Sequence, residues 1–478
     1  MAIDPVYVCE TVKDHGNHLK AQQKTLDIYE NNLMKYVDQA LARQLSERSY
    51  RMACERMVPI NIYPKVIDKL SNIYQQGVVR EVMDGTQSDT DLMNWYVKQM
   101  YMNETMHHSN TIFNACKSTL IHPFFDDKYG PRLRVIPNDR FIVQSDDPVD
   151  PLRVTRVTLL AGKRDQKEIY WVYTDTEFAI VTSDQKIDYA AMAMMGNPDG
   201  INPYGQIPFV YVNSSALKLI PSPDYDGIRM TEVIPVMLAD LNLAAMFQSF
   251  SIMYGVDLSI ENMTYAPNTF WFLKSDNPGE SKPEIGTIKP EVDFQEVLNL
   301  IQSQLSMWLG TRGIRANGVG ELTQQNFASG ISKVIDEMDT LDARQAQTST
   351  FSCAEKDLWE LILEKMHPMW VDQGRISQRA LWTPGASVVT SFRLAIPGTT
   401  RTQLIDEQQK EYAAGFTTRK RAIQALNPTM TISEVDELLY EIEEERTIYR
   451  EPVAQQDNAQ TVDSNQAGDA YGSTMAAV

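Results

Sequence analysis

The order of elements between residues 225 and 370 constrains the fold more than any other feature of this chain. Two apolar helical stretches, Tyr225–Tyr254 and Val292–Gly310, flank a β-like segment at Gly255–Glu291 that Pro and Gly residues interrupt. A glycine-containing loop at about Arg312–Ala328 then leads into one very long helix. This order is a poor basis for a self-contained enzyme core. It suits one subunit of a ring that surrounds a central hole.

The two apolar stretches need cover on more than one side. The second has apolar residues at the spacing of one helix face, and its roughly 18 residues would span about 27 Å. These residues are Phe294, Val297, Leu298, Ile301, Leu305, Trp308 and Leu309. The first stretch is apolar nearly all round, so a pair packed only on itself would leave much apolar surface in water. We expect neighbouring copies to supply the cover; the alternative is a helix pair buried within one subunit.

The sequence before residue 225 predicts helices followed by an antiparallel meander. Apolar residues recur at helical spacing from Leu26 to Leu41, and further helices are predicted at Tyr63–Tyr74 and Asp91–Thr119. From about Arg132 the pattern changes to short β-branched and aromatic runs separated by turn residues. The predicted strands are Arg153–Leu160, Glu168–Tyr173, Phe178–Thr182 and Ile207–Val212, the last after a turn at Asn202–Gly205. The predicted fold class is therefore α+β and mainly helical.

The sequence after residue 329 predicts helices again. A long helix from Ser329 should end at His367-Pro368, because proline breaks the helical hydrogen-bond pattern. Glu451–Val478 has four acidic residues, no basic residue and few apolar ones, so we expect it to be disordered. Between them, short helices are predicted at Thr402–Ala414 before Gly415, from Thr417-Thr418, and from the capping box Thr431–Glu434.

Length and charge limit the class of protein. A chain of 478 residues predicts two to four sub-domains. The net charge of −19 argues against a protein that grips many phosphates, although an acidic wall would keep a DNA duplex hydrated and mobile. The first ten residues carry no basic signal region, and no apolar run reaches the roughly 18 residues of a membrane span. We therefore expect no membrane partner and a reducing compartment, with buried free thiols at Cys9, Cys54, Cys116 and Cys353.

No catalytic constellation is evident in the sequence. It contains no G-x-x-x-x-G-K-[ST] loop and no G-x-S-x-G nucleophile motif, and Gly318-Val319-Gly320 lacks the third glycine of a dinucleotide site. His15 and His18 could share a helix face, but no carboxylate or cysteine is suitably placed beside them in sequence, so we expect neither a metal nor a cofactor. Asp126-Asp127 and Asp146-Asp147 could imitate the cluster of a metal-dependent nuclease, but their turn contexts favour loop solvation.

The loop after the second apolar stretch is the best candidate for contact with a ligand. It carries hydrogen-bond donors on a flexible backbone, which could touch a polyanion without reading its sequence. An ordinary surface connection is the alternative, although loops longer than about 12–15 residues are uncommon in compact proteins. The candidate residues are Arg312, Arg315, Asn317, Gly318, Gly320, Gln324, Gln325 and Asn326.

Four segments, taken in order, resemble the portal proteins of tailed bacteriophages. They are the turn and strand Asn202–Tyr211, the helix and its lead-in Asp224–Ser251, the start of the long helix Phe327–Ile331, and the helical stretch from Ala414 to Arg446. The likeness covers roughly residues 25 to 450. The long helix departs from the family pattern, because acidic Asp336-Glu337 stand where the family usually has basic residues.

The resemblance implies a fold with a wing, a stem, a clip and a crown. It places an antiparallel β meander in the wing, a small α/β module in the clip and helices in the crown. On this chain the regions would be an N-terminal extension at 1–24, the wing at 25–224, the first stem helix at 225–254, the clip at 255–291, the second stem helix at 292–311, the tunnel loop at 312–328, a long wing helix and return strand at 329–398, the crown at 399–450 and an acidic tail at 451–478.

The resemblance also implies a function without catalysis. Such proteins form a ring, usually a dodecamer, at one capsid vertex of the virion, and they assemble in the host cytoplasm. The implied partners are further copies of the chain, non-specific double-stranded DNA, the terminase large subunit, the major capsid protein, and head-completion or tail adaptor proteins. The tunnel-loop residues named above would face DNA. Clip residues would contact neighbouring subunits or the motor, or form a local β core: Phe270, Trp271, Phe272, Lys274, Lys282 and Lys289. The alternatives are another head–tail adaptor, or a metal-dependent nuclease or terminase-like enzyme.

Overall fold

The computed structural model is a mixed fold of helices and antiparallel sheets. The predicted α+β class is confirmed at that level. The chain divides into two compact units, Met1–Thr402 and Gln403–Val478. The structure describes residues 3–57, 59–75, 77–250, 252–256, 284–288, 293–314, 330–376, 380–392, 401–427, 430 and 432–448.

The first unit opens with five helices. They are α1 (Pro5–Asp14), α2 (Gly16–Tyr29), α3 (Met34–Gln44), α4 (Glu47–Arg56) and α5 (Tyr63–Leu70). The continuous helical run predicted from Leu26 to Leu41 is wrong, since α2 ends before α3 begins. Asn31 lies in the break at φ 65, a left-handed conformation that asparagine tolerates better than most residues. Ile28, Leu33 and Val37 nevertheless share one core, which explains why the apolar spacing continues across the break.

The helix predicted at Asp91–Thr119 is also two helices. α6 (Gln87–Gln99) follows strand β1 (Val78–Met83) and begins at a capping box, in which Thr86 and Asp89 each accept a backbone N–H of the other. Tyr101, at φ 49, separates α6 from α7 (Met102–Cys116). Lys117 ends α7 at φ 66, so the residues after it belong to a strand. The helix predicted at Tyr63–Tyr74 corresponds to the shorter α5.

Antiparallel sheets follow these helices. The strands are β2 (Ser118–Asp126), β3 (Gly130–Pro137), β4 (Phe141–Gln144), β5 (Arg156–Arg164), β6 (Lys167–Tyr173), β7 (Phe178–Thr182), β8 (Lys186–Ile187) and, after α8 (Tyr189–Met194), β9 (Val210–Asn213). One sheet has the order β3–β2–β9 and a five-stranded meander has the order β4–β5–β6–β7–β8. The predicted meander is confirmed at β5, β6 and β7, and the edge position of β9 suits Pro208 just before it. β2, β3, β4 and β8 were not predicted.

The two helices and the β-like segment predicted between residues 225 and 310 correspond to two helices and two strands in the described residues. They are α9 (Tyr225–Phe250), β10 (Ile252–Val256), β11 (Glu284–Ile288) and α10 (Phe294–Gly310). α9 is four residues shorter than predicted, because β10 begins at Ile252. α10 begins where Asp293 accepts hydrogen bonds from the backbone N–H groups of Gln295 and Glu296, as a helix N-cap does.

The long helix crosses the core of the first unit. α11 (Gly330–Glu360) continues through a π-helical turn at Leu361–Met366 into α12 (His367–Asp372). The predicted stop at His367-Pro368 is therefore wrong. Pro368 lies in the first turn of α12, where its missing N–H needs no partner, and the wider π turn precedes it. β12 (Ser387–Phe392) then pairs with β1, and Phe351, Leu358 and Trp359 of α11 are fully buried.

The second unit contains the C-terminal helices. They are α13 (Arg401–Ala413), α14 (Arg419–Leu426) and α15 (Ile432–Ile448). The predicted end of α13 is confirmed, and Gly415 follows at φ 78, the conformation that favours glycine after a helix. The predicted start of α14 is confirmed as well, since Thr418 Oγ1 accepts the N–H of Arg421. The proposed cap at Thr431 and the acidic segment 451–478 lie outside the described residues.

Candidate functional site

Within the first unit, α9 and α10 are joined through a two-stranded sheet, and the segment α9–β10–β11–α10 is called the excursion below. β10 follows α9 and β11 precedes α10, and the two strands pair antiparallel from Ile252↔Ile288 to Val256↔Glu284. The chain therefore runs along α9 into this sheet and leaves it along α10. This confirms the predicted β character at both ends of the segment between the two helices.

A buried ion pair closes the excursion where it begins and ends. Asp224 directly precedes α9 and Arg312 follows α10, and Arg312 Nη2 donates a hydrogen bond to Asp224 Oδ1. The side chains of Arg312 and Asp224 are only 13% and 4% exposed. Tyr63 Oη lies 3.1 Å from Asp224 Oδ2 and 3.2 Å from the carbonyl oxygen of Ala115. Tyr63, Lys117, Asp224 and Arg312 together are called the base cluster below.

The charges of the base cluster compensate one another. Burial alone would raise the pKa of Asp224, but Lys117 and Arg312 outweigh it and hold that pKa below its ordinary value. Burial lowers the pKa of Lys117, and Asp224 opposes this. Burial and the adjacent Asp224 carboxylate together raise the pKa of Tyr63 well above its usual range, so its hydroxyl stays a donor. Removal of any one charge would leave another buried without full compensation.

Close backbone approach fixes the first turn of α9 against this cluster. A Cβ atom at Gly227 would lie 2.6 Å from Asp224 Oδ2 and 2.7 Å from Tyr63 Cε2, closer than side-chain carbons normally come. Only glycine therefore fits without displacing the cluster. One turn further along, Glu232 forms an ion pair with Lys24 of α2, which holds α9 to the N-terminal helices.

Part of the surface of the two helices is apolar and exposed. Ile234 and Ala239 of α9 and Ile301, Trp308 and Leu309 of α10 are buried within the chain. Other apolar side chains have no such cover: Val233 is 40% exposed, Leu298 36%, Leu300 49% and Met307 66%. Leu300 and Met307 are seven residues apart and share one face of α10, whereas Leu298 lies on the opposite face. Because exposed apolar side chains commonly mark protein interfaces, these two faces are candidate contacts with other chains.

The long helix is anchored by a second buried ion pair. Arg80 of β1 donates from Nε to Glu355 Oε2 at 2.6 Å and from Nη2 to Oε1 at 2.8 Å. Tyr74 and Thr390 each donate a hydroxyl hydrogen bond to the same carboxylate at 2.9 Å. Burial opposes ionisation of Glu355, but Arg80 and these hydrogen bonds hold its pKa below the ordinary value. The C-terminal part of α11 thus cannot slide without breaking these four contacts.

Polar side chains also fix α11 at Gln347, eight residues before Glu355. Gln347 Oε1 accepts hydrogen bonds from Asn110 at 3.0 Å and Asn114 at 3.2 Å, and Gln347 Nε2 donates to Asn114 Oδ1 at 2.9 Å. Asn114 also donates to the hydroxyl of Ser71 at 3.0 Å. Gln347 thus joins α11 to α7 and to Ser71 at the end of α5 through a network of side-chain hydrogen bonds.

Arg312 is the one predicted DNA-facing residue that the structure describes. Its guanidinium is paired with Asp224 and lies 5.7 Å from the ring of Trp308, so it has a structural role within the chain. Its contact with DNA stays a prediction. The other predicted tunnel-loop residues, Arg315, Asn317, Gly318, Gly320, Gln324, Gln325 and Asn326, lie outside the described residues. The predicted clip residues also lie outside them: Phe270, Trp271, Phe272, Lys274, Lys282 and Lys289.

The acidic pairs have turn roles. Asp126 Oδ1 accepts the N–H groups of Lys128 and Tyr129, and Asp147 Oδ1 accepts those of Val149 and Asp150. Asp146 pairs with Arg156 at 3.0 Å. Within the described residues no group of three or more His, Cys, Asp or Glu side chains is arranged to hold a metal ion.

The histidines and cysteines differ in their burial. His122 is enclosed by aromatic rings, and burial, reinforced by Arg134, lowers its pKa to about 3. His367 lies 2.8 Å from the hydroxyl of Tyr96 and 2.8 Å from the carbonyl of Ala380. All four cysteines are free: Cys9 and Cys116 are buried as expected, Cys54 is half-buried and Cys353 is exposed, which corrects the prediction for Cys353.

The comparisons with known proteins give distant likenesses of fold. No family model matches the chain, and no curated protein matches it in sequence. Solved structures similar to it include the neck of an empty gene transfer agent particle computed with C6 symmetry, at 12% identity and a TM-score of 0.37, covering 77% of this chain and 90% of that chain. The virion of a native gene transfer agent particle is similar at 12% identity and a TM-score of 0.39, with the same two coverages. In the described part of the chain, no helix has the length and apolar character needed to cross a membrane.

Proposed function

We propose that this chain is a portal protein, one subunit of a ring at a single vertex of a phage-like capsid. The observation that carries the proposal is the excursion α9–β10–β11–α10, closed at its base by Asp224 and Arg312 and followed in sequence by the long helix α11. This order of elements is the one that the portal resemblance implies for stem, clip, stem and long helix. The protein would be a component of the virion and would not be an enzyme.

Ring formation would cover the exposed apolar side chains of the helix pair. Val233, Leu298, Leu300 and Met307 are exposed in the single chain and would be buried against a neighbouring copy. Burial of apolar surface is the main favourable contribution to such association, at about 25 cal/mol per Å². A closed ring of identical copies uses the same two surfaces at every contact, and we propose twelve copies by the resemblance.

Passage of DNA through the ring fits the charge of the chain. The net charge of −19 would limit phosphate contacts, each of which releases counterions and strengthens binding. Weak contacts that do not depend on sequence would come from the tunnel-loop segment 312–328. The terminase large subunit would dock on the clip at 255–291 and would later be replaced by head-completion or tail proteins, while the wing would contact the major capsid protein.

Oligomer size tests this proposal directly. We expect the purified protein to form rings with a central hole in negative-stain images and a mass near that of twelve chains by mass photometry. Substitution of Leu298 and Met307 by Gln should abolish the rings, because it places a polar side chain on each of the two exposed faces of α10. The matched control replaces Met194 and Leu217, which are also exposed, by Gln and should form rings as the wild type does. A wild-type protein that stays monomeric at every concentration and salt would refute the proposal.

An enzymatic function would show itself in a nuclease assay. The alternative function, a metal-dependent nuclease or terminase-like enzyme, is the rival hypothesis and would place catalysis at Asp126-Asp127 or Asp146-Asp147. In the structure Asp126 and Asp147 accept hydrogen bonds within turns, and Asp146 pairs with Arg156. We expect no Mg²⁺-dependent DNA cleavage and no ATP hydrolysis by the purified protein. Cleavage that is lost on substitution of either pair by Asn would favour the rival.

A further inference from the structure

A cleft lies between the C-terminal part of α11 with the π-helical turn after it on one side and strands β2, β5 and β9 on the other, and the portal proposal gives it no role. Its volume is about 590 Å³, which is within the range of pockets that take a few side chains of a ligand. Apolar side chains line its inner part: Val157, Phe209 and Val210 from the sheet side and Leu361 from the helix side. All four are at least nine-tenths buried, so the cleft has a firm apolar floor.

One wall of the cleft is acidic. Asp357, Glu360 and Glu364 line it and are exposed, and they follow one another at i, i+3 and i+7 along the same helical stretch. Asp357 and Glu364 are therefore about 10 Å apart along the helix. Lys356 pairs with Glu360 at 3.7 Å on the surface, whereas no ion pair holds Asp357 or Glu364 among the described residues.

The surroundings of Asp357 disfavour its charged form. Burial raises the pKa of Asp357, the neighbouring Glu360 raises it further, and Lys356 only partly opposes them. The charged and titratable side chains that line the cleft are Asp357, Glu360, Glu364, Lys365, the thiol of Cys353 and the hydroxyl of Tyr211. Lys356 offsets the charge of Glu360, so three carboxylates against Lys356 and Lys365 leave this wall with a net negative charge that a cationic partner would neutralise.

We propose that this cleft binds a segment of a separate protein that carries two lysines or arginines about 10 Å apart beside an apolar side chain. The two cations would pair with Asp357 and Glu364, and the apolar side chain would pack in the cleft against Val157, Phe209 and Leu361. The charge of the wall selects the polar part of the partner and the floor selects its apolar part. An acidic or wholly polar segment fits neither. This inference does not depend on ring formation.

Cys353 provides a reporter inside the cleft. Its thiol is free and exposed and lines the same wall, while Cys9 and Cys116 are buried. In a Cys54→Ser background, Cys353 is the one exposed thiol of the chain, because the sequence contains four cysteines and both Cys9 and Cys116 are buried. A segment seated in the cleft would therefore slow the alkylation of Cys353.

The test uses the full chain and a defined probe. The probe is a fluorescent 14-residue helical peptide with a leucine stripe and two lysines seven positions apart, and its counterpart has glutamates at those two positions. We expect the lysine peptide to bind by fluorescence anisotropy and to slow alkylation of Cys353. The triple variant Asp357→Asn, Glu360→Gln, Glu364→Gln should bind it about tenfold more weakly, because several surface ion pairs are lost together.

A matched variant controls for net charge. Glu10→Gln, Asp14→Asn, Glu104→Gln removes the same three charges from exposed positions outside the cleft and should change binding less than about twofold. The proposal is overturned if the glutamate peptide binds as well as the lysine peptide, or if the two triple variants bind alike. It is also overturned if Cys353 is alkylated at the same rate with and without the lysine peptide. Protection of Cys353 by self-association alone would assign the cleft to a second copy and would overturn it too.

Discussion

Arg312→Ala is the substitution that most directly tests the base cluster. It removes the cation from Asp224, whose side chain is 4% exposed, and leaves that carboxylate with the hydroxyl of Tyr63, the N–H of Gly227 and the charge of Lys117. Breaking a buried pair by removing one partner costs about 3–5 kcal/mol, and Lys117 places the expected cost near the lower end. We therefore expect a local destabilisation of about 3 kcal/mol.

Hydrogen exchange of α10 measures this cost where it arises. A loss of about 3 kcal/mol would speed the exchange of backbone amides at residues 301–309 by roughly 100-fold, provided that they exchange by local opening. Arg153→Ala is the control, since Arg153 is 60% exposed and lies 3.7 Å from Asp147; its effect should be below about 1 kcal/mol. A change of less than threefold in the exchange of α10 in Arg312→Ala would contradict the argument.

A double substitution separates the pair from its surroundings. Asp224→Asn with Arg312→Met removes both charges, so the loss should be about 2 kcal/mol smaller than the sum of the two single losses. The dependence on pH gives the same information. Because the pKa of Asp224 is below its ordinary value, the pair stabilises the fold fully above the ordinary pKa of aspartate and less as pH falls through the lowered pKa. Arg312→Ala should lack most of that acid-side loss.

Three further predictions follow from other sites. Burial, with Asp27 and Glu30, raises the pKa of Asp139 to about 6, so the folded state loses stability relative to the unfolded state as pH rises from about 4 to 6. In urea denaturation, Asp139→Asn should therefore raise the free energy of unfolding by about 2 kcal/mol at pH 8 and leave it unchanged at pH 3.5. Alanine favours helices, but a Cβ atom at position 227 would lie 2.6 Å from Asp224 Oδ2. Gly227→Ala should therefore destabilise α9 by about 1–3 kcal/mol, measured by hydrogen exchange, and stronger protection of α9 would contradict this. Deletion of Gly318–Gln325 should leave rings intact in negative-stain images but reduce the amount of packaged DNA, whereas unchanged packaging would remove the DNA-facing role of the loop.

Elements set by local sequence could be predicted well. Phe178–Thr182 is a strand with the predicted bounds, and α13 ends before Gly415 as expected. In both cases the residues that decide the structure are neighbours in sequence. The strands β2 and β4 were missed because their partners are set by the sheet, and a run such as Ser118–Asp126 directly after a helix gives no turn signal of its own.

Contacts between distant residues could not be predicted from one sequence. Asp224 and Arg312 are 88 positions apart, and Tyr63 and Asp224 are 161 apart. Arg312 was assigned to a loop because it follows a helix and carries a donor, and nothing in the sequence indicates its buried partner. The π-helical turn before Pro368 is a similar case, since propensity alone predicts that the helix stops there.

Gln347 and Glu355 together fix the second half of α11, so the part of the helix before Gln347 would act as a lever about these contacts. Gly330 lies 17 residues before Gln347, a length of about 26 Å at 1.5 Å per residue. A rotation of about 10° around the Gln347 contacts would move Gly330 by roughly 4–5 Å, close to one helical pitch. Small rearrangements around Asn110 and Asn114 would therefore be magnified at the start of α11, and a force applied at that end would reach the amide network before the buried carboxylate of Glu355.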